Sequence, residues 1–312
     1  MLKKCLVVDP MHESLFGMLA SLGWQVDYHP SITRNEIKDK HIGYKGLIIR
    51  SKTIVDHDLL GDHPTLQFVG RAGAGLDNLD QYYLSEKNIQ VIHAAEGNRD
   101  AVGEFSIGVL LSLLRNVPRA HQEVTNGIWL RESNRGEEIM GKTIGIIGFG
   151  NMGEAFAKRL SGFGCNILVY DKYKHGFTNQ FWQEADMSQI FEENDILSLH
   201  VPLTAETRGM VNTTYLSRFK KKIILLNTAR GEIIPLSDLA EAFRMGKVRG
   251  AALDVLENEK LNELTTIQKE AFRNLIEGGN VIFTPHIAGW TFESHIKINV
   301  ALVEKIKTLN LS

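Results

Sequence analysis

Cysteine is nearly absent from this chain of 312 residues: there are two, Cys5 and Cys165. Two thiols so far apart support neither a disulfide framework nor a CxxC site, so a reduced, cytoplasmic setting is the simplest expectation and no metal centre is foreseen. Charge of one sign is missing as well. The formal net charge is −2, which leaves no electrostatic footprint for nucleic acid or an anionic membrane, and neither is expected as a partner. Long apolar runs are lacking too. The longest apolar-rich stretch, "FSIGVLLSLL" from Phe105 to Leu114, falls far short of the roughly 20 residues that span a bilayer. The opening "MLKKCLVVDP" breaks its apolar run at Asp9, so no secretory signal is expected. There is no low-complexity tract, linker-like Pro/Ser run or short repeat. What remains is 43% hydrophobic and 23% charged, an ordinary soluble globular composition at a length that suits two domains of roughly 100–200 residues each.

Along the first ninety-odd residues, strand-like and helix-like pieces alternate. "KCLVVD", "WQVDYH", "KGLIIRS", "LQFVGRAG" and "IQVIHA" read as strands, and "HESLFGMLASLG" reads as an amphipathic helix closing on Gly23. Such alternation implies a parallel sheet covered by helices on both faces. A long apolar helix is expected from Asn98, stopped near Pro118, with a second helical piece reaching about Gly127. Its apolar surface suits either a subunit interface or an inter-domain contact. From Gly141 the alternation restarts: "TIGIIGF", "CNILVYD", "DILSLHV", "KIILLNT", "GAALDVL" and "VIFTPH" are strands, with helices near 151–162, 187–194, 212–220, 235–247 and 264–277. Six strands with five crossovers make a complete doubly wound dinucleotide-binding domain. The 26 residues after His286 read as one helix, which could return to pack on the first domain.

"IGIIGFGNMGEAFAKRL" sets Gly148, Gly150 and Gly153 in a GxGxxG pattern where a strand meets a helix. Gly148 permits the tight turn, Gly150 lets backbone approach a pyrophosphate, and Gly153 allows close helix–strand packing, while the helix N-terminus faces the phosphates. The next strand ends at Asp171, eighteen residues beyond Gly153, near the spacing of a ribose-binding acid. That carboxylate suits the ribose hydroxyls of NAD and repels the 2′-phosphate of NADP, although Lys172 and Lys174 could soften the exclusion. The competing reading of Asp171 is a helix cap or turn acid.

Ligands of an open parallel sheet bind beyond the carboxyl ends of its strands. Arg230 follows "IILLNT", Asp254 and Glu259 follow "GAALDVL", and His286 ends "VIFTPH". Singly, Arg230 could be a surface charge, Glu259 a solvated loop acid and His286 a satisfied core histidine. Jointly, they deliver a cation, a carboxylate and an imidazole to the rim the cofactor uses. Hydride transfer to or from nicotinamide requires a proton to move at the carbinol oxygen, and histidine suits that work. Glu259 could orient the ring, and Arg230 offers a planar donor fork to a substrate carboxylate and carbonyl.

Carrying "GFGNMG", "VYD", "HVPLT", "LLNTARGEI", "AALDVLENE" and "TPHIAG" in that order, the chain resembles the D-isomer-specific 2-hydroxyacid dehydrogenase family over nearly its whole length. The resemblance implies an α/β fold of two doubly wound parallel-sheet domains. One would be a Rossmann NAD-binding domain over 98–287, including a long helix over 98–117. The other would be a discontinuous, flavodoxin-like substrate domain from 1–97 and 288–312. It further implies Arg230, Glu259 and His286 as the catalytic set. Cofactor contacts would come from Ala74, the glycines of the turn, Asn151, Met152, Asp171, Val201, Pro202, Thr228, Ala229, Asp254, Ala288 and Gly289. A homodimer formed through the helix after Asn98 is also a family expectation. Three departures stand out: Lys260 where the family often has proline, an extra helical stretch between Glu259 and His286, and Trp290 where a small residue is common.

"IIRSKTIVDHDLLGDHPTLQFVGRAGAGLDNLD" is similar to the corresponding stretch of the phosphoglycerate dehydrogenases of that family. By this resemblance Arg50, Ser51, Arg71, Gly73, Ala74, Gly75, Asn98 and Arg131 would bind substrate. "RAGAG" would cradle a carboxylate on backbone N–H groups, and Arg50, Arg71 and Arg131 would gather on a phosphate. Arg71 and Arg131 also read as a structural residue and a surface charge. The expected reaction is reversible oxidation of 3-phospho-D-glycerate to 3-phosphohydroxypyruvate at the entry to serine synthesis. Because the chain ends at Ser312, feedback through an added C-terminal regulatory domain is expected to be absent. The alternatives are a reductase of glyoxylate, hydroxypyruvate or another unphosphorylated 2-keto acid, and a non-catalytic NAD-sensing protein.

Overall fold

The structure is a computed structural model and describes residues 3–309. It divides into two compact units, one formed by the residues through Arg99 together with those from Trp290 onward, the other by Asp100–Gly289.

In the first unit, β1 (Lys3–Val7), β2 (Trp24–Tyr28), β3 (Gly46–Ile49), β4 (Phe68–Arg71) and β5 (Gln90–His93) form a sheet in the order β2-β1-β3-β4-β5. Every pairing is parallel, and the order is that of flavodoxin-like doubly wound sheets. Side chains alternate along each strand, so Leu6, Leu47, Ile49 and Val69 enter one apolar cluster while Cys5, Val7, Ile48 and Phe68 enter the other. The second cluster is closed by the helix Phe292–Lys307, which contributes Ile298, Leu302, Val303 and Ile306. The chain's last helix therefore completes the first unit's core.

In the second unit, β6 (Thr143–Ile147), β7 (Asn166–Tyr170), β8 (Gln183–Glu184), β9 (Ile196–Leu199), β10 (Ile223–Asn227), β11 (Val248–Leu253) and β12 (Val281–Phe283) run in the order β12-β11-β10-β9-β6-β7-β8, all parallel. The direction of winding reverses between β6 and β9, which marks the switch point where such sheets take ligands. Strand β10 is buried along its length; Ile223 and Leu225 face one cluster, Ile224 and Leu226 the other. Seven strands stand where six were expected. The addition, β8, has only two polar residues and pairs at Leu168 and Val169, too short to leave a periodic signal.

A second correction concerns the long helix. It runs Arg99–Leu114, not 98–117, and a separate helix Val117–Thr125 follows. Pro118 cannot donate to the Leu114 carbonyl, and its ring would collide there. The break is taken at Asn116, in the left-handed region at φ 55°. Leu110, Leu113 and Leu114 of the longer helix lie in the second unit's own core.

Candidate active site

Gly148 follows β6 with φ 95°, a conformation that favours glycine. A Cβ there would also lie 2.7 Å from the His200 carbonyl oxygen, and one on Gly153 would lie 2.0 Å from the carbonyl oxygen of Gly148. Both glycines are thus required by the protein's own packing. Gly150 is different. Its φ is −86°, and a Cβ would meet nothing within 4 Å. It caps the helix Asn151–Leu160 without a side-chain hydrogen bond, so the first-turn N–H groups at Asn151, Met152 and Gly153 lack intrahelical partners. Open space at Gly150 beside a positive helix end fits a dinucleotide pyrophosphate.

Asp171 follows β7 and is held by three backbone donors. Its Oδ2 accepts from Phe149 N at 2.7 Å, and its Oδ1 accepts from Tyr173 N and Lys174 N at 2.9 and 3.0 Å. Partial burial would raise its pKa, but these N–H bonds and the Lys174 charge outweigh it and hold the carboxyl below its usual range. The neighbouring lysines are both engaged. Lys172 Nζ pairs with Glu206 at 2.7 Å, and Lys174 Nζ donates to the Phe149 carbonyl at 2.9 Å. Neither cation is reserved for a 2′-phosphate.

Beyond β9 stand His200, Val201 and Pro202. His200 is buried, bonds Ser198 Oγ through Nε2 at 2.8 Å, and is pushed down to about 4 by burial. A neutral, enclosed imidazole under the glycine turn supports packing and is no proton carrier at neutral pH.

At the end of β10, Asn227 is buried and folds the following loop onto itself. Its Oδ1 accepts from Ala229 N at 3.1 Å, and its Nδ2 donates to the Arg230 carbonyl at 2.9 Å. Thr228 Oγ1 lies 3.3 Å from Ser106 Oγ on the long helix. Arg230 is half-buried, with Nη1 donating to the Ala229 carbonyl at 2.7 Å. Gly231 must be glycine, because a Cβ would lie 1.9 Å from the Leu256 backbone.

Asp254, at the end of β11, is buried. Its Oδ1 accepts from Thr284 Oγ1 at 2.6 Å and Ile287 N at 2.9 Å, its Oδ2 accepts from Ala288 N at 2.8 Å, and its carbonyl accepts from His286 N at 2.8 Å. The carboxylate that resemblance gives to the cofactor also shapes the turn that carries the histidine. That turn sets His286 at φ 55°, uncommon for a side-chain-bearing residue and a frequent mark of functional positions. His286 Nδ1 lies 2.9 Å from Glu259 Oε1, with both side chains about half exposed. An imidazole oriented by a carboxylate, with its other nitrogen open, is built for proton transfer. Lys260 turns to Glu263, 3.1 Å away.

Other sequence-predicted residues lie in the first unit. Arg50 and Ser51 follow β3 in a loop held from below: buried Asp9 accepts from Arg50 N at 2.5 Å and Thr53 Oγ1 at 2.9 Å, while Asn78 Nδ2 donates to the carbonyls of Arg50 and Thr53 at 2.9 and 2.6 Å. The Arg50 guanidinium stacks over the Trp290 ring, 4.5 Å from its centroid. Arg71 folds beneath the next turn, where a Cβ on Gly73 would lie 1.6 Å from its Nη1, and that nitrogen donates to the Ala72 carbonyl at 3.3 Å. Gly73 N donates to the Arg71 carbonyl at 2.9 Å, so any anion cradle here is left to Ala74 and Gly75. Asn98 Oδ1 is buried with no hydrogen-bond partner among the described residues. Arg131 belongs to the second unit, exposed in the loop before the short turn Glu132–Asn134. Sequence reading missed Asn227, Thr284, Asp9 and Asn78, whose signal is only a short polar residue at or after a strand end.

Comparison with known proteins bears on this arrangement. The family model described as D-isomer specific 2-hydroxyacid dehydrogenase, NAD binding domain, matches residues 107–288. Among curated proteins, a D-3-phosphoglycerate dehydrogenase of Methanocaldococcus jannaschii is 36% identical over 309 residues, 97% of this chain and 57% of that protein. The chain thus spans little more than half of that relative. A hydroxypyruvate reductase of Thermotoga maritima is 38% identical over 260 residues, 83% of each chain. Among solved structures, the D-lactate dehydrogenase of Aquifex aeolicus complexed with NAD and lactic acid aligns with a TM-score of 0.83 at 26% identity, covering 98% of this chain and 94% of that one.

Proposed function

This chain belongs to the D-isomer-specific 2-hydroxyacid dehydrogenase family, and from that membership we propose that it moves a hydride between NAD and a small D-2-hydroxy acid, serving as reductase of an unphosphorylated 2-keto acid such as hydroxypyruvate or glyoxylate. The observation that carries the reaction is the 2.9 Å pairing of His286 with Glu259, on the same unit as the glycine turn and Arg230. NAD, when bound, supplies or accepts the hydride. The open backbone at Gly150 and the helix end at Asn151–Gly153 hold its pyrophosphate, and Asp171 takes its ribose hydroxyls. Arg230 binds the substrate carboxylate and polarises the carbonyl with its donor fork. Glu259 accepts a hydrogen bond from Nδ1–H of His286, which stays protonated there, so that Nε2 gives its proton to the forming alkoxide in reduction and removes one in oxidation.

The choice of an unphosphorylated acid rests on how the arginines are engaged. Arg50 stacks on Trp290, and Arg71 braces the Gly73 turn through the Ala72 carbonyl. The hydroxypyruvate reductase relative, matched over most of both chains, supports the same choice. A second reading, 3-phospho-D-glycerate oxidation in serine synthesis, is favoured by the Methanocaldococcus relative. A homodimer goes with either reading and is supported by Ile128, Trp129 and Leu130, exposed side by side at 45%, 81% and 51%. The deciding experiment compares kcat/KM for hydroxypyruvate and phosphohydroxypyruvate with NADH. A preference of about tenfold or more for the plain acid is expected, and the reverse preference moves the assignment to the second reading.

A further inference from the structure

We infer that Asn227 is the positioning residue for Arg230, an inference that rests on the proposed function because it assumes that Arg230 engages the substrate. Strand β10 delivers the chain to the site, but the backbone hydrogen bonds of the sheet end at Asn227. From there to Arg230 a buried amide, used in both directions, ties the loop back to the strand end. Its oxygen accepts from Ala229 N at 3.1 Å, and its nitrogen donates to the Arg230 carbonyl at 2.9 Å. An amide supplies the acceptor and the donor on two separate atoms of one short side chain, so each partner has its own. The two partners also fix which end of the amide is oxygen, since an N–H needs an acceptor and a carbonyl a donor.

The amide is itself fixed. Asn227 is 1% exposed, and its backbone carbonyl accepts from Asp254 N at 3.0 Å. Two adjacent strand ends thus share one device. At the end of β10 the buried Asn227 folds the loop that carries Arg230, and at the end of β11 the buried Asp254 folds the turn that carries His286. Their backbones are hydrogen-bonded to each other, so the cation and the imidazole are referred to one rigid origin. Shifts of about 1 Å in a positioning group can cost roughly a hundred-fold in rate, which makes such an origin consequential.

The difference between Asn and Asp is decisive at this position. Asn227→Asp keeps the shape and the acceptor for Ala229 N, but it sets a second oxygen against the Arg230 carbonyl in place of a donor. Asn227→Ser is too short to reach both partners. The test measures kcat/KM for NADH-dependent reduction of hydroxypyruvate in the wild-type background and again with Arg230→Lys. Acting through Arg230, either substitution at Asn227 lowers kcat/KM about ten- to a hundred-fold in the first background and less than about threefold in the second. A merely structural role gives equal losses in both backgrounds, and that result, or no loss in the first, overturns the inference. The isosteric Asp variant leaves no cavity, which keeps the comparison available should the Ser variant fold poorly. A wild-type protein that reduces no 2-keto acid overturns the proposed function and this inference with it, whereas equal losses in an active enzyme overturn the role of Asn227 alone.

Discussion

His286 Nδ1 lies 2.9 Å from Glu259 Oε1, across the loops that follow two neighbouring strands, β12 and β11. In the proposed reaction the pairing engages Nδ1 with the carboxylate and leaves Nε2 for the substrate, so the proton moves at one nitrogen in either direction. Glu259→Gln retains an oxygen for Nδ1–H but loses the charge that stabilises an imidazolium. A fall in kcat of about ten- to a hundred-fold on hydroxypyruvate is expected, with NADH affinity by fluorescence titration changed less than about twofold.

The glycines of the turn separate packing from ligand approach. Gly153→Ala places a methyl 2.0 Å from the Gly148 carbonyl oxygen, whereas Gly150→Ala meets no protein atom within 4 Å. Thermal unfolding is expected to fall clearly for the first variant and to stay at the wild-type value for the second. NADH binding should nevertheless weaken by about tenfold or more in Gly150→Ala, because the added methyl occupies the space of the pyrophosphate.

Asp171 yields a cofactor prediction and a pH prediction. Asp171→Ser removes the carboxylate that repels a 2′-phosphate, and the ratio of kcat/KM for NADPH to that for NADH should rise about tenfold or more. The native carboxyl sits below its ordinary value because of its three backbone donors, once partial burial has been outweighed. Its stabilising contribution is therefore complete above the unfolded value of about 3.9 and is lost as pH falls through the lower native value. Denaturant midpoints from pH 5 downward should drop less steeply below about pH 4 in Asp171→Ser than in the wild type.

Trp290 holds the guanidinium of Arg50 in a stack at 4.5 Å. Trp290→Ala releases a contact of about 1 kcal/mol, roughly fivefold. The ratio of kcat/KM for phosphohydroxypyruvate to that for hydroxypyruvate should increase by about that factor. An unchanged ratio would mean that this stack does not restrain Arg50 from a phosphate.

Much of this fold was legible from residue pattern alone. Buried parallel strands read as apolar runs, and β6, β7, β9, β10, β11 and β12 each carry one; β8, with Gln183 and Glu184, carries none. The turn at Gly148 was legible because a positive φ and close backbone approach both demand glycine. The break at Asn116 was not, since a left-handed asparagine has no periodic signal and Pro118 marks a helix start as readily as a stop. Strand ends pointed to Arg230, Asp254, Glu259 and His286, yet the way their loops are shaped stayed hidden. Asn227 and Asp254 act on backbone N–H and carbonyl groups, and such partners have no identity in a sequence. The contacts of Arg50 and Arg71 were hidden for the same reason: they are a ring more than two hundred positions away and the backbone carbonyl of Ala72.

The most direct measurement is steady-state reduction of hydroxypyruvate by the wild type and by His286→Ala, with NADH affinity titrated in parallel. NADH affinity is expected to stay within about twofold while kcat falls by about a thousand-fold or more. A His286→Ala protein that keeps a kcat within about threefold of the wild type would contradict the assignment of His286 as the proton carrier.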